Sequence, residues 1–205
     1  STIHTLILDI CLAHYNSSNL KILDLGCSTG SFLNYLSHHK LGKKNISYLG
    51  IDQSKEMLDI LHSTYKNFKN LSIDTNCVSI DPSTKFPESD VVVLNLVLQF
   101  IPLELRVLIL SNIYRCLSIG SCCFVVEKVS FAQPEFQSIA RDVYHGFKSK
   151  QGYSNEEIVN KEKSLKNVLN PSSIEENISM LKQAGFSYVS PFFQWINFVG
   201  FIAIK

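Results

Sequence analysis

Two acids and two glycines carry the chemistry that can be read from this chain: Asp24, Gly26 and Gly30 fall in "DLGCSTG", and Asp52 follows in "GIDQS". Read as strand, turn and helix, "KILDLGCSTGSFLNYL" places both glycines in the turn, where missing side chains let the backbone approach a ligand closely. A phosphate-binding P-loop would need Lys and then Ser or Thr after the second glycine, but Ser31 and Phe32 stand there. A dinucleotide fingerprint would need G-x-G-x-x-G, and only G-x-x-x-G is present. An adenosine ligand that carries an amino acid suits the acids better. Asp24 offers a carboxylate to an ammonium group, and Asp52 is placed to accept hydrogen bonds from both ribose hydroxyls. The pair describes S-adenosylmethionine (SAM) better than a phosphate cofactor. Taken singly, the turn is a weak signal and Asp52 could be a helix N-cap before Ser54, Lys55 and Glu56. Acids at two successive strand ends favour cofactor binding.

The elements that must position these residues show in the hydrophobic pattern. Apolar runs of strand length recur at 20–25, 47–51, 90–98 and 121–129. Between them the spacing is helical: Phe32, Tyr35 and Leu36, then Met57, Ile60 and Leu61, then Leu105, Ile109, Ile113 and Cys116. Alternating strand and helix predicts a parallel sheet covered on both faces. After residue 130 the spacing predicts helices over 132–149, 154–168 and 172–184, the last two opened by Ser154-x-x-Glu157 and Ser172-x-x-Glu175 and the last closed by Gly185. "FSYV" and "FFQWINFVGFIAIK" read as a terminal hairpin turned near Ser190 and Pro191. With 205 residues and no linker or repeat, one domain over 1–205 is expected, with a helical insertion at about 131–184.

A formal charge of +1 leaves no global basic field for direct nucleic-acid binding, and the runs Lys40, Lys43, Lys44 and Lys148, Lys150 read as solvated surface. Six cysteines (Cys11, Cys27, Cys77, Cys116, Cys122 and Cys123) show no C-x-x-C pair and no zinc spacing, so no metal is expected and the thiols read as small buried hydrophobes of a reducing compartment. "LILDICLA" is too short to span a bilayer and contains Asp9, so a cytoplasmic protein without membrane attachment is expected.

"DLGCSTG" with "GIDQS" resembles the class I SAM-dependent methyltransferases. "VVVLNLVLQFIP", "VVEKVSF", "HGFKSKQGYSNEEI", "SLKNVL", "LKQAGF" and "FFQWINFVGFIAIK" are similar to the bacterial carboxy-S-adenosylmethionine synthase family, from about residue 20 to 205. The resemblance implies a Rossmann-like α/β fold: a mostly parallel seven-stranded sheet, an antiparallel C-terminal hairpin and a helical insertion after the fifth strand. That family turns SAM and prephenate into carboxy-SAM and phenylpyruvate for tRNA wobble-uridine modification, and its members pair as homodimers.

Carried over, Gly26, Cys27 and Ser28, with Gly30, would line the methionine portion, Asp52 and Gln53 the ribose, and Asn95 the region after the fourth strand. The family's acid facing the adenine amino group falls on Cys77, beside Val78, so that contact is expected from backbone or from Asp74 or Asn76. The family's arginine for the extra carboxylate falls on Glu162, a like charge, with Lys163 one residue away as a weaker substitute. The family also carries a further N-terminal segment over the site, so a shortened chain, or a domain cut from a larger multidomain protein, with a more open pocket is expected.

These matches and departures imply a SAM-dependent methyltransferase acting on a small-molecule or carrier-bound acceptor, with SAM or its product S-adenosylhomocysteine (SAH) bound. Carboxy-SAM synthesis is the alternative, and a degenerate SAM-binding scaffold a third. Methyl transfer from a sulfonium is an in-line displacement, in which geometry matters most and an acid–base group is optional. Tyr144, His145, Glu127 and Tyr153 are the candidates for that role, each with an ordinary packing or ion-pair use beside it. Phe192, Phe193, Trp195 and Phe198 read as hairpin core.

Overall fold

Strands buried on both faces must be apolar nearly throughout, and three runs of this chain are. They form β1 (Asn19–Leu25), β4 (Ser89–Asn95) and β5 (Leu117–Lys128) at the centre of a seven-stranded sheet. The computed structural model describes residues 2–65, 70–165 and 168–205. Residues 166 and 167, inside "SLKNVL" and the helix expected over 154–168, lie outside that set, as does the side chain of Lys43.

The sheet is completed by β2 (Asn45–Asp52), β3 (Leu71–Cys77), β6 (Tyr188–Trp195) and β7 (Phe198–Ile204), in the order β3-β2-β1-β4-β5-β7-β6. The first five strands are parallel, and β7 runs antiparallel to β5 and β6. Helices α1 (Thr2–His14), α2 (Ser31–His38) and α3 (Lys55–Thr64) cover one face, where Ile7, Leu33 and Leu61 pack on Ile22, Val93 and Phe124. On the other face α4 (Leu103–Cys116) and α7 (Ile174–Gln183) set Ile109, Leu110 and Leu181 against Leu25, Val92 and Val125. Between them in sequence lie α5 (Pro134–Lys150) and α6 (Asn155–Leu165), the insertion after the fifth strand. This is the Rossmann-like architecture expected.

Three local expectations change. The hairpin does not turn at Ser190 and Pro191: β6 runs through both, and the chain reverses at Ile196 and Asn197. Proline is tolerated there because β6 is an edge strand whose missing N–H has no ladder partner to lose, and the register slips between Pro191 and Phe193. The capping box of α7 is Ser173 with Glu176, one residue later than expected, because the Ser172 hydroxyl instead accepts from the buried Arg106 guanidinium. The box at Ser154 and Glu157 forms as read. Finally, β3 alternates exposed polar residues, as an edge strand does, and escapes a search for apolar runs.

Candidate active site

The order of the sheet reverses beside β1, which pairs with β2 on one side and β4 on the other. A crevice opens there at the carboxyl ends of the strands, as doubly wound sheets provide at such a point. Its volume is about 560 Å³, and of the candidates it is lined by Gly26, Ser28, Asp52, Gln53, Val78 and Asn95.

The glycine turn closes one wall. Gly26 (φ +71°) and Gly30 (φ +84°) sit in the left-handed region that disfavours side chains, and Ser28 shares it at φ +49°. A Cβ on Gly26 would meet Val97 Cγ2 at 2.5 Å, and one on Gly30 would meet the Tyr65 ring at 2.8 Å. The first glycine therefore keeps the turn close to the loop after β4, and the second lets the start of α2 pack on α3.

Asp52 ties the crevice together. One carboxylate oxygen accepts from the Ser28 N–H at 2.9 Å and the other from the Ser54 N–H at 2.9 Å. The helix cap of α3 is Ser54, so Asp52 is not spent as an N-cap. With about four acceptor sites on a carboxylate and two in use, it retains acceptors for two ribose hydroxyls.

Asp24 is placed differently from the expectation. The residue is 3% exposed, its carboxyl accepts from the buried Tyr48 hydroxyl at 2.7 Å, and it lies behind the residues that line the crevice. Burial pushes it up to about 7, with the Tyr48 bond acting against the shift and Asp52 adding to it. Cys27 is likewise turned inward, against Gly50, so only its backbone belongs to the turn. Cys77 is exposed with its thiol 3.6 Å from the Gln53 carbonyl, and the crevice instead meets the chain after β3 at Val78, Ser79 and Asp81.

Asn95 faces the crevice from β4 and donates to His4 Nε2 of α1 at 2.9 Å. Burial pulls that imidazole down to about 4, which keeps it neutral and able to accept. Nothing in the sequence pattern singled out His4. Only the meeting of α1 with the end of β4 reveals it.

The proposed acid–base residues do not gather in the crevice. Glu127 is buried and its oxygens accept the N–H groups of Val97, Leu98 and Gln99 at 3.0, 2.7 and 3.1 Å, so it clasps the loop after β4 in place. Burial raises it to about 7 against those bonds. Tyr144 packs on Phe198 and Trp195, and burial raises its phenol above the ordinary value, away from service as a base near neutrality. His145 Nε2 lies 3.5 Å from Glu162 Oε2, which joins α5 to α6, and Tyr153 is 55% exposed in the turn between them. Phe192 and Phe193 pack with the sheet core as expected, whereas Trp195 and Phe198 stand apart from it with Tyr144 and Phe147.

Among the described residues no helix is long and apolar enough to cross a membrane. The crevice fits SAM: a wall that an added Cβ would fill, a ribose-accepting carboxylate, and no cation in the described lining to oppose a sulfonium.

Comparison with known proteins agrees with that fit. A family model described as a methyltransferase domain matches residues 23–123. The carboxy-S-adenosyl-L-methionine synthase of Trichodesmium erythraeum is 38% identical over 192 residues, 93% of this chain and 75% of that protein. Its namesake in Campylobacter jejuni is 35% identical over 204 residues, 97% of this chain and 83% of that protein. Among solved structures, a SAM-dependent methyltransferase of Methanosarcina mazei superposes with a TM-score of 0.62 at 16% identity, covering 95% of each chain. PigF with SAH gives 0.65 at 18%, over 97% of this chain and 55% of that one. This chain is therefore a SAM-dependent enzyme of the class I methyltransferase fold and belongs to the carboxy-S-adenosyl-L-methionine synthase family.

Proposed function

We infer that the enzyme transfers the methyl group of SAM to a small-molecule or carrier-bound acceptor. The observation that carries this reading is the charge of the crevice: its ionisable lining side chains are Asp52 and Asp81, with no Lys, Arg or His among the described lining residues. Such a wall suits a cationic sulfonium, and its described residues hold no cation to pair with a carboxylate added to the transferred carbon. Glu162, at the position of the family's carboxylate-binding arginine, lies on α6 beside His145 and outside the crevice lining.

SAM supplies an electrophilic methyl group when bound. The chain's own part is to hold the ribose on Asp52, press the turn at Gly26 against Val97, and keep the crevice shaped through the Glu127 clasp. Mass spectrometry of the ligand released from purified protein tests the reading. Plain SAM or SAH is expected, and a carboxylated sulfonium would overturn it.

Carboxy-SAM synthesis is the second reading, favoured by the name that relatives at 38% identity carry. We also propose that the enzyme is cytoplasmic and pairs as a homodimer, in line with the family resemblance. The apolar stripe Phe136, Ile139 and Val143 on α5, each more than half exposed, is the face such a pair would cover. A monomer in sedimentation at high protein concentration would refute the pairing.

A further inference from the structure

A buried imidazole stands behind the crevice with half of its hydrogen bonding unmet. His4 of α1 is 3% exposed, and its ring meets the rings of Phe32 and Tyr35 of α2 at 5.8 and 5.2 Å, edge to face. Burial pulls it down to about 4 and keeps it neutral. Nε2 accepts from the Asn95 side-chain amide at 2.9 Å, so the ring proton is on Nδ1, which is buried with no hydrogen-bond partner among the described residues. Stranding an N–H in an aromatic pocket is costly, and an apolar side chain would fill the same space without that cost. What the imidazole gains in return is the bond to Asn95.

That bond decides which way the Asn95 amide faces. On β4, Val91 and Val93 pack with α1 and α2, and Asn95 follows them on the same face of the sheet. An asparagine amide is nearly symmetric in shape but not in chemistry: with an N–H directed at His4, its carbonyl oxygen is turned away. That oxygen makes no hydrogen bond among the described residues and is not a buried orphan, so with Asn95 lining the crevice it is open to a ligand. Strand register fixes its place. Leu25 pairs with Ile51 on one side and Leu94 on the other, so Asp52 and Asn95 flank the Gly26 turn. Two strand spacings separate them, about 10 Å. A nucleoside whose ribose rests on Asp52 therefore extends an amino-acid arm across the turn toward Asn95, while Asp24 lies behind the lining, bonded to Tyr48.

We propose that His4 is a positioning residue: by accepting from Asn95 it turns the Asn95 carbonyl into the crevice, where that oxygen binds the ammonium of SAM's methionine portion. The proposal deepens the reading of the crevice as the SAM site and rests on it. It gives the ammonium a neutral acceptor that is set from α1, outside the strand–turn–helix unit that holds the ribose. The neutral ring is essential to this arrangement. An imidazolium would donate from both nitrogens, and the amide would then turn its own N–H groups on the ammonium, donor against donor.

The test is calorimetric titration of the full chain with SAH and with deaminated SAH, whose amino group is replaced by hydrogen. The wild type binds SAH about tenfold or more tightly than the analogue, as the loss of a hydrogen bond to a charged group predicts. His4→Leu, and His4→Phe with a ring in the same pocket, narrow that gap to about threefold or less by weakening SAH alone. Their melting temperatures without ligand do not fall, since the stranded donor is gone. His4→Gln, whose amide oxygen can accept, keeps the gap. Asn95→Ala narrows it as well, and His4→Leu adds nothing in that background. An undiminished gap in a His4 variant or in Asn95→Ala, or a lowered melting temperature with equal weakening of both ligands, would overturn the proposal. Wild-type protein that binds neither ligand would strike the reading of the crevice itself, whereas SAH binding with an unchanged gap strikes only the role of His4.

Discussion

Replacing Gly26 with alanine should damage both the fold and the cofactor crevice, and the structure sets the size of each effect. At φ +71° a side chain costs about 1–2 kcal/mol in the left-handed region. The new Cβ would also stand 2.5 Å from Val97 Cγ2, and Val97 cannot simply retreat, because Glu127 holds its N–H at 3.0 Å. Overpacking of that kind costs about 1–3 kcal/mol, for a total of about 2–5 kcal/mol. In a chain of this length the melting temperature should fall by roughly 4–20 °C. Gly26 and Val97 both line the crevice, so SAH affinity measured by calorimetry should fall about tenfold or more. Gly120→Ala is the matched control: φ is +81°, but nothing lies within 4 Å of its Cβ, so it should show only the backbone cost and bind SAH normally. If both variants lose the same stability and bind SAH like the wild type, close packing between the glycine turn and Val97 is not what shapes the site.

Asp52→Ala removes the acceptor of the Ser28 and Ser54 N–H groups as well as the ribose contact, and should weaken SAH binding by at least about tenfold in the same assay. Asp24 sits at about 7 in the folded protein against 3.8 as its ordinary value, so the folded state holds a proton that the unfolded chain has released between those pH values. Stability should therefore fall as pH rises from about 4 to about 7, with Asp24 and the likewise raised Glu127 each contributing on the order of 1.4 kcal/mol per pH unit, and Asp24→Asn should remove about half of that fall in urea titrations at pH 5 and pH 8. Ser172→Ala strands a buried Arg106 donor, whereas Ser173→Ala loses a helix cap worth about 1 kcal/mol. Thermal unfolding should rank Ser172→Ala as the more damaging of these neighbours.

The central strands were legible because burial on both faces leaves little but apolar residues in β1, β4 and β5. The same rule hid β3, an edge strand with exposed Asp74 and Asn76. Asp52 and the glycine turn could be read from local spacing because a strand–turn–helix unit positions them unaided. Asp24 and Glu127 could not, since each finds its partners across the sheet: Tyr48 on β2 for the first, and the loop after β4 for the second. An acid at a strand end looks the same in sequence whether it faces substrate or binds backbone. The pairing of His4 with Asn95 lay beyond local pattern for the same reason, as it joins residues on α1 and β4.

Pro191 has a consequence for how copies of this chain can meet. An unprotected outer strand invites another chain to extend the ladder, and here one margin of the sheet carries a proline and a slipped register while the other carries polar β3. Strand-to-strand growth is blunted at both margins, so copies of this chain that meet edge to edge find no regular ladder to extend.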